Sequence, residues 1–172
     1  MFTEWLSIQG WLTEVEGIAL QNLCYGKRVL EVGSYKGRST RCMAPLAKEM
    51  WCVDTFRGDP TWGQEQLPEY TTLDEFLQNV AGFDVHVCIG KSQGVIPGLP
   101  DNYFDLIFID SYHTYDHVKM EYELCLPKLA EGGVMAFHDY DNRGIKKFID
   151  ETFDQIKLEG WIAVVKGIKP GG

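Results

Sequence analysis

The sequence predicts an α/β fold, a mainly parallel sheet sandwiched between two layers of helices, and three observations predict it. Short β-rich runs alternate with amphipathic segments along the 172 residues, as parallel strands require, because each crossover must carry the chain back across a face of the sheet. Several of those runs end in polar side chains, at Asp54, Asp110 and His138 with Asp139 following, and open α/β sheets bind ligands outside the carboxyl ends of their strands. The first run, Arg28-Val32, passes straight into a turn punctuated by Gly33 and Gly37, the form of a ligand-binding loop.

The elements follow in chain order. Trp5, Ile8, Leu12, Val15 and Ala19 share one helical face, so residues 1–26 are expected to form a helical cap across the sheet or the site mouth, over a core of 27–172 in one domain, 1–172. Pro45 should shorten the helix that follows Gly37. Further strands are expected at Met50-Asp54, Val85-Ile89, Phe104-Asp110, Val134-His138 and Trp161-Val165, with a loop at 57–68. Thr72-x-x-Glu75 is a capping-box pattern ahead of Phe76, Leu77 and Val80. Val118, Tyr122, Cys125 and Leu129 recur at helical spacing, as do Ile145, Phe148, Thr152 and Ile156, with Asp141 or Asn142 as the cap. Only one strand is visible after the last helix. The sheet is therefore expected to lack a full seventh strand, leaving an edge on which a second copy of the chain could pair as a homodimer.

Composition narrows the partners. A formal net charge of −9 and a pI near 4.9 disfavour nucleic acid, whose binding draws on clustered Lys and Arg, and leave a small neutral or cationic molecule as the expected partner. Five Cys without a Cys-x-x-Cys pair give neither a disulfide framework nor a structural zinc site, which fits a reducing cytoplasm. No apolar run of about 18 residues occurs, so no membrane partner is expected.

The loop after the first strand sets the ligand class. A pyrophosphate binder wants Gly-x-Gly-x-x-Gly, but position 35 is Tyr and position 38 is Arg, and no Gly-x-x-x-x-Gly-Lys-[Ser/Thr] is present. Hydride cofactors and nucleoside triphosphates are thereby disfavoured. Asp54 ends the second strand, where a carboxylate can accept both hydroxyls of a ribose.

Glu31-Val32-Gly33-Ser34-Tyr35-Lys36-Gly37-Arg38-Ser39-Thr40 resembles motif I of the class I S-adenosylmethionine-dependent methyltransferases, which have a Rossmann-like fold. Val53-Asp54-Thr55-Phe56-Arg57-Gly58-Asp59, Ile109-Asp110-Ser111-Tyr112-His113-Thr114-Tyr115 and the stretch from Gly132 to Tyr140 resemble a bacterial subgroup of small-molecule O-methyltransferases, related to the catechol and sugar-tailoring enzymes. The resemblance implies S-adenosyl-L-methionine as cofactor, with Glu31, Gly33 and Ser34 near its methionine part. It likewise implies Gly37 at the start of the next helix, Asp54 and Thr55 at the ribose, Ser92 in the Gly90-Lys91-Ser92 turn near the adenine, and Asp110 facing the cofactor.

Methyl transfer from a sulfonium needs few catalytic groups: the acceptor must be aligned, deprotonated and shielded from water. Asp110 and His113 past the fourth strand, and His138 and Asp139 past the fifth, are expected to converge, because those strands are neighbours in the expected sheet. His113 is the candidate general base, with Asp110 beside it. Asp110, Asp139 and His138 are the candidate ligands of Mg²⁺ or another divalent cation, as the metal-dependent relatives imply for the first two. Tyr140 departs from the Asn those relatives carry there. His117, one turn beyond His113, reads as a solvated helix residue. Trp5, Trp11, Trp62 and Tyr70 are candidates for an aromatic lid over a small-molecule acceptor. Metal-assisted O-methylation, metal-free N- or O-methylation, and cofactor binding without methyl transfer all remain open readings of these residues.

Overall fold

The computed structural model describes residues 2–58 and 71–168. Seven strands, β1 (Arg28–Val32), β2 (Glu49–Asp54), β3 (Val85–Ile89), β4 (Phe104–Ile109), β5 (Leu129–Phe137), β6 (Lys157–Glu159) and β7 (Ile162–Val165), form one sheet in the order β3-β2-β1-β4-β5-β7-β6. The first five run parallel, while β7 is antiparallel to both β5 and β6. Six α-helices among the described residues accompany them: α1 (Glu14–Cys24), α2 (Arg38–Met43), α3 (Leu73–Asn79), α4 (Ser92–Val95), α5 (Tyr115–Cys125) and α6 (Arg143–Thr152).

Strand side chains alternate between two cores, which is what makes the fold three layers. Val29, Met50, Cys52, Leu106, Phe108, Val134 and Ala136 pack with Leu20 and Cys24 of α1, Cys42 and Met43 of α2, and Phe76 of α3. The intervening Leu30, Val53, Ile107, Ile109, Met135 and Phe137 pack with Val118 and Cys125 of α5 and Phe148 of α6 on the other side. The central parallel strands β1, β4 and β5 are mostly buried on both faces because both are covered, whereas the edge strand β3 is half-exposed.

The expected lack of a full seventh strand is corrected, since β6 pairs with β7 through Lys157 to Val164, Leu158 to Ala163 and Glu159 to Ile162. The strand is three residues long, its side chains are exposed or half-buried, and it turns into β7 at Gly160 with φ +64°. Lys-Leu-Glu carries too little apolar alternation to be legible as a strand. The edge thought open to a second copy is occupied by β6.

A second correction concerns the N-terminus. The single helix expected there is a 3₁₀ turn at Glu4–Ser7 followed by α1, with Ile8 extended between them. Trp5, Ile8, Leu12 and Ala19 are buried as expected, but Val15 is 62% exposed. The Arg38 guanidinium accounts for the break: it donates to the carbonyls of Leu6, Ile8 and Leu12, which a continuous helix would have used internally. Thr13 then restarts the helix in a reciprocal capping box with Glu16. Replacing Arg38 by Ala is expected to cost about 1.5–3 kcal/mol, the range for hydrogen bonds from a charged donor to buried acceptors, measurable by urea denaturation.

Elsewhere α2 stops at Met43, two residues before Pro45, and Asn142 caps α6 by accepting from the Gly144 N–H at 2.9 Å. The capping box expected at Thr72 does not form, because the Thr72 hydroxyl donates instead to the Tyr35 carbonyl at 3.1 Å. No helix among the described residues is long and apolar enough to cross a membrane.

Candidate functional site

Strand order reverses between β1 and β4, since β1 is followed in sequence by β2 on one side and β4 pairs with it on the other. Loops leaving the two strands diverge there, which opens a crevice at their carboxyl ends. A cavity of about 430 Å³ lies at that point, lined by the β1 turn, the tips of β2, β4 and β5, the Gly90-Lys91-Ser92 turn and residues 9–12 of the N-terminal segment.

The β1 turn is built for close approach. Gly33 adopts φ +91°, and a Cβ there would lie 2.0 Å from the Asp110 carbonyl oxygen. The Ser34 and Tyr35 N–H groups both donate to Asp54 Oδ2 at 2.7 Å, and the Phe56 N–H to Oδ1 at 2.7 Å. Asp54 therefore ties the β1 and β2 loops together, and its Oδ1, which accepts one of the three bonds, keeps a lone pair for a further donor. Tyr35, Phe56 and Asp139 at the strand tips have φ of +48°, +56° and +54°, a left-handed backbone uncommon outside glycine and concentrated here around the cavity.

Of the residues expected at the cofactor, Gly33, Ser34, Asp54, Thr55, Ser92 and Asp110 line the cavity. Glu31 and Gly37 are not among the lining residues. A Cβ on Gly37 would instead meet Phe76 at 3.0 Å, so that glycine seats α3 against the loop. Glu31 lies fully buried beneath the turn, accepting from Ser34 Oγ at 2.8 Å and from Thr40 Oγ1. Burial pushes its carboxyl up to about 6 against the lowering effect of the hydroxyls around it. Because the folded value lies above the ordinary 4.5, ionisation opposes folding, and stability falls by about 2 kcal/mol as pH rises from 4.5 through 6. Glu16, held near 2, has the opposite sign and loses its contribution as pH falls below 4.5. Stability should therefore peak near pH 5, and Glu31→Gln should remove the decline between pH 4.5 and 6 in urea titrations.

The chemistry end gathers the residues from β4 and β5. His113 Nε2 lies 2.5 Å from Asp139 Oδ2, and ligand atoms of Asp110, His113 and Asp139 all fall within 4.8 Å of one another. His138, expected as the third metal ligand, is not in that converging set. It is 4% exposed, with Nδ1 3.2 Å from both Asp110 Oδ1 and Asp139 Oδ2 and Nε2 3.5 Å from Glu16 Oε2. Burial opposes charge on this imidazole, but Asp110, Asp139 and Glu16 outweigh it and hold its pKa well above the ordinary value. Burial likewise works against ionisation of Asp139, yet hydrogen bonds from His113 and His138 hold its carboxyl well below the usual range.

Several lining residues were not singled out from the sequence. Glu121 of α5 is buried, accepting from Ser111 Oγ and facing His117 Nε2 at 3.0 Å, and the His117 ring meets Tyr112 edge-on at 4.6 Å. His117 is thus part of the cavity wall and not a solvated helix residue; its spacing of four from Glu121 was the available signal. Trp11, of the proposed aromatic lid, lines the cavity 5.6 Å from the Tyr35 ring, whereas Trp5 is core. Trp62 and Tyr70 lie outside the described residues.

Comparison with known proteins places this geometry. A family model described as a methyltransferase domain matches residues 30–140, from β1 to the residue after Asp139. An uncharacterized protein, y4gI of Sinorhizobium fredii, is 28% identical over 133 residues, 74% of this chain but only 14% of that protein, so the chain spans a small part of this relative's length. Among solved structures, the O-methyltransferase NovP is similar over 90% of this chain and 80% of its own, with a TM-score of 0.73 at 14% identity. An O-methyltransferase from Bacillus cereus in complex with SAH is similar over 84% of this chain and 64% of its own, with a TM-score of 0.59 at 22% identity. The motif I turn, the switch-point cavity and the match across 30–140 have one reading: the chain belongs to the class I S-adenosylmethionine-dependent methyltransferase family.

Proposed function

We propose that the protein is an O-methyltransferase that moves the methyl group of S-adenosyl-L-methionine to a hydroxyl of a small molecule. The observation that carries this reading is the pairing of a base with its orienting group at the edge of the cofactor crevice: His113 and Asp139, 2.5 Å apart. In this reading Gly33 and Ser34 face the methionine part, Asp54 and Thr55 the ribose, and Ser92 the adenine. Asp139 orients the His113 ring through Nε2, and the imidazole takes the acceptor's proton as the oxygen attacks the sulfonium methyl in line and S-adenosylhomocysteine leaves. The similarity to O-methyltransferases, with NovP and the Bacillus cereus enzyme both so named, supports oxygen over nitrogen as the acceptor atom. The net charge of −9 suits a neutral or cationic acceptor and not a nucleic acid.

A second reading is favoured by the convergence of Asp110, His113 and Asp139 within 4.8 Å. Two carboxylates and an imidazole fit a divalent ion, Mn²⁺ or Zn²⁺ as readily as Mg²⁺. Bound there, the ion would orient and acidify the acceptor hydroxyl. Chelation separates the two. Turnover with a hydroxylated acceptor panel that survives EDTA assigns the proton transfer to His113 alone; turnover lost to EDTA and restored by Mn²⁺ or Mg²⁺ assigns the cluster to the metal. Tight S-adenosylhomocysteine binding with no methyl transfer across the panel would contradict both.

A further inference from the structure

The chemistry end is backed from outside the segment that the family model matches. Glu16 belongs to α1, before residue 30, and is 1% exposed. Three contacts fix its carboxylate. The Thr13 N–H and hydroxyl donate to Oε2 at 2.8 and 2.7 Å, and the Trp161 N–H, from the β6–β7 turn, donates to Oε1 at 2.9 Å. Gly160 beside it leaves the room this needs, since a Cβ there would lie 2.7 Å from Glu16 Cγ. A carboxylate so held at both oxygens has little freedom of its own.

What it faces is His138. The Nε2 of that buried ring has no hydrogen-bond partner among the described residues, and Glu16 Oε2 at 3.5 Å is the acidic oxygen across from it. At that distance the contact is an ion pair rather than a hydrogen bond. The opposite nitrogen, Nδ1, sits 3.2 Å from one oxygen of Asp110 and 3.2 Å from one of Asp139, and the same Asp139 oxygen, Oδ2, contacts His113. A chain of contacts therefore runs from α1 and the β6–β7 turn, through His138, to the groups that line the cavity.

We propose that Glu16 is a positioning residue of the methyl-transfer site, acting through His138 to set the side-by-side placement of Asp110 and Asp139 and, through Asp139, the orientation of His113. The proposal rests on reading Asp110, His113 and Asp139 as the chemistry end. A buried carboxylate on the far side of the ring reinforces the ring flip in which Nδ1 meets the two aspartates, because the other flip would present Cδ2 to the aspartates and Cε1 to Glu16. Groups one contact removed from a reacting centre commonly change its function tenfold to a hundredfold when removed, as the outer-shell partners of metal-ligating histidines do. A purely structural role for Glu16, capping α1 and anchoring the β6–β7 turn, would leave the histidine rings undisturbed.

The test uses the full chain and needs neither acceptor nor metal. Long-range ¹H–¹⁵N spectra of the histidine side chains are recorded for the wild type, Glu16→Gln and Gln21→Ala. The last is a control within α1 that removes the 2.6 Å bond from Gln21 to the Phe2 carbonyl and touches neither Glu16 nor the site. Glu16→Gln is expected to move the ring-nitrogen signals of His138 and of His113, while Gln21→Ala leaves both at wild-type positions. Unmoved signals in Glu16→Gln, or equal movement in the control, would overturn the proposal. S-adenosylhomocysteine titrated into the same samples is expected to bind Glu16→Gln within about twofold of wild type; loss of affinity in Glu16→Gln alone would make Glu16 part of the cofactor site and also overturn it. Absence of binding to the wild type itself would instead count against the function proposed above. Should Glu16→Gln fail to fold, Gly160→Ala, which displaces Glu16 while keeping its charge, is expected to move the same two ring signals.

Discussion

Gly33→Ala is expected to abolish S-adenosylhomocysteine binding and to destabilise the domain by about 3–5 kcal/mol, the sum of a strained left-handed backbone and forced overpacking. The added methyl would sit 2.0 Å from the Asp110 carbonyl oxygen and 2.6 Å from its carbon, and backbone cannot swing aside as a flexible side chain can. β1 and β4 are paired neighbours from Val29↔Leu106 to Val32↔Ile109, so relief of the clash must separate the two strands at the ends that form the crevice. A domain of this size has about 5–15 kcal/mol in hand, so a folded but non-binding protein is the expected product. Urea denaturation and calorimetric titration read the two effects separately. Gly37→Ala should be milder on binding, because its neighbours are the Phe76 and Val80 side chains and not the ligand wall.

The second large effect is on turnover. His113→Ala should lower kcat about 100-fold or more with cofactor affinity unchanged, the usual loss on removing a general base. Asp139→Asn should lower kcat by about 100-fold as well, since the 2.5 Å partner that orients the ring is replaced by a neutral amide. Asn is the variant of choice there because position 139 has φ +54°, which Asn tolerates and Ala does not. S-adenosylhomocysteine release, with whichever member of a phenol, sugar and hydroxylated-scaffold panel turns over, measures both. A wild-type kcat in His113→Ala would remove it from the chemistry.

The sheet was legible because its central strands are mostly apolar on both faces and stop at polar tips; Arg28–Val32 and Val85–Ile89 match the expected spans, and β4 falls one residue short of Asp110. The motif I turn was legible for a related reason, since Gly33 meets a steric demand that no other residue satisfies. Contacts distant in sequence were not legible. The three carbonyls of the N-terminal segment that converge on Arg38, and the approach of His138 and Trp161 to Glu16 from the other end of the chain, arise only in the fold. Glu121 was hidden differently, because a buried acid on an amphipathic helix looks like its solvated neighbours Asp116 and Glu123 unless its partners Ser111 and His117 are placed beside it. The two histidines of the chemistry end were identified by residue type, but that His138 contacts both aspartates from the buried side while His113 converges with them at the cavity depends on ring placement. No spacing rule encodes that.

The most direct measurement is calorimetric titration of S-adenosyl-L-methionine and S-adenosylhomocysteine into the folded chain, beside the Gly33→Ala protein. One saturable site per chain for each ligand, lost in Gly33→Ala, is the result expected of a crevice built by the β1 turn. A folded wild-type protein that takes up neither ligand, or one that binds both as well without a glycine at position 33, would contradict it.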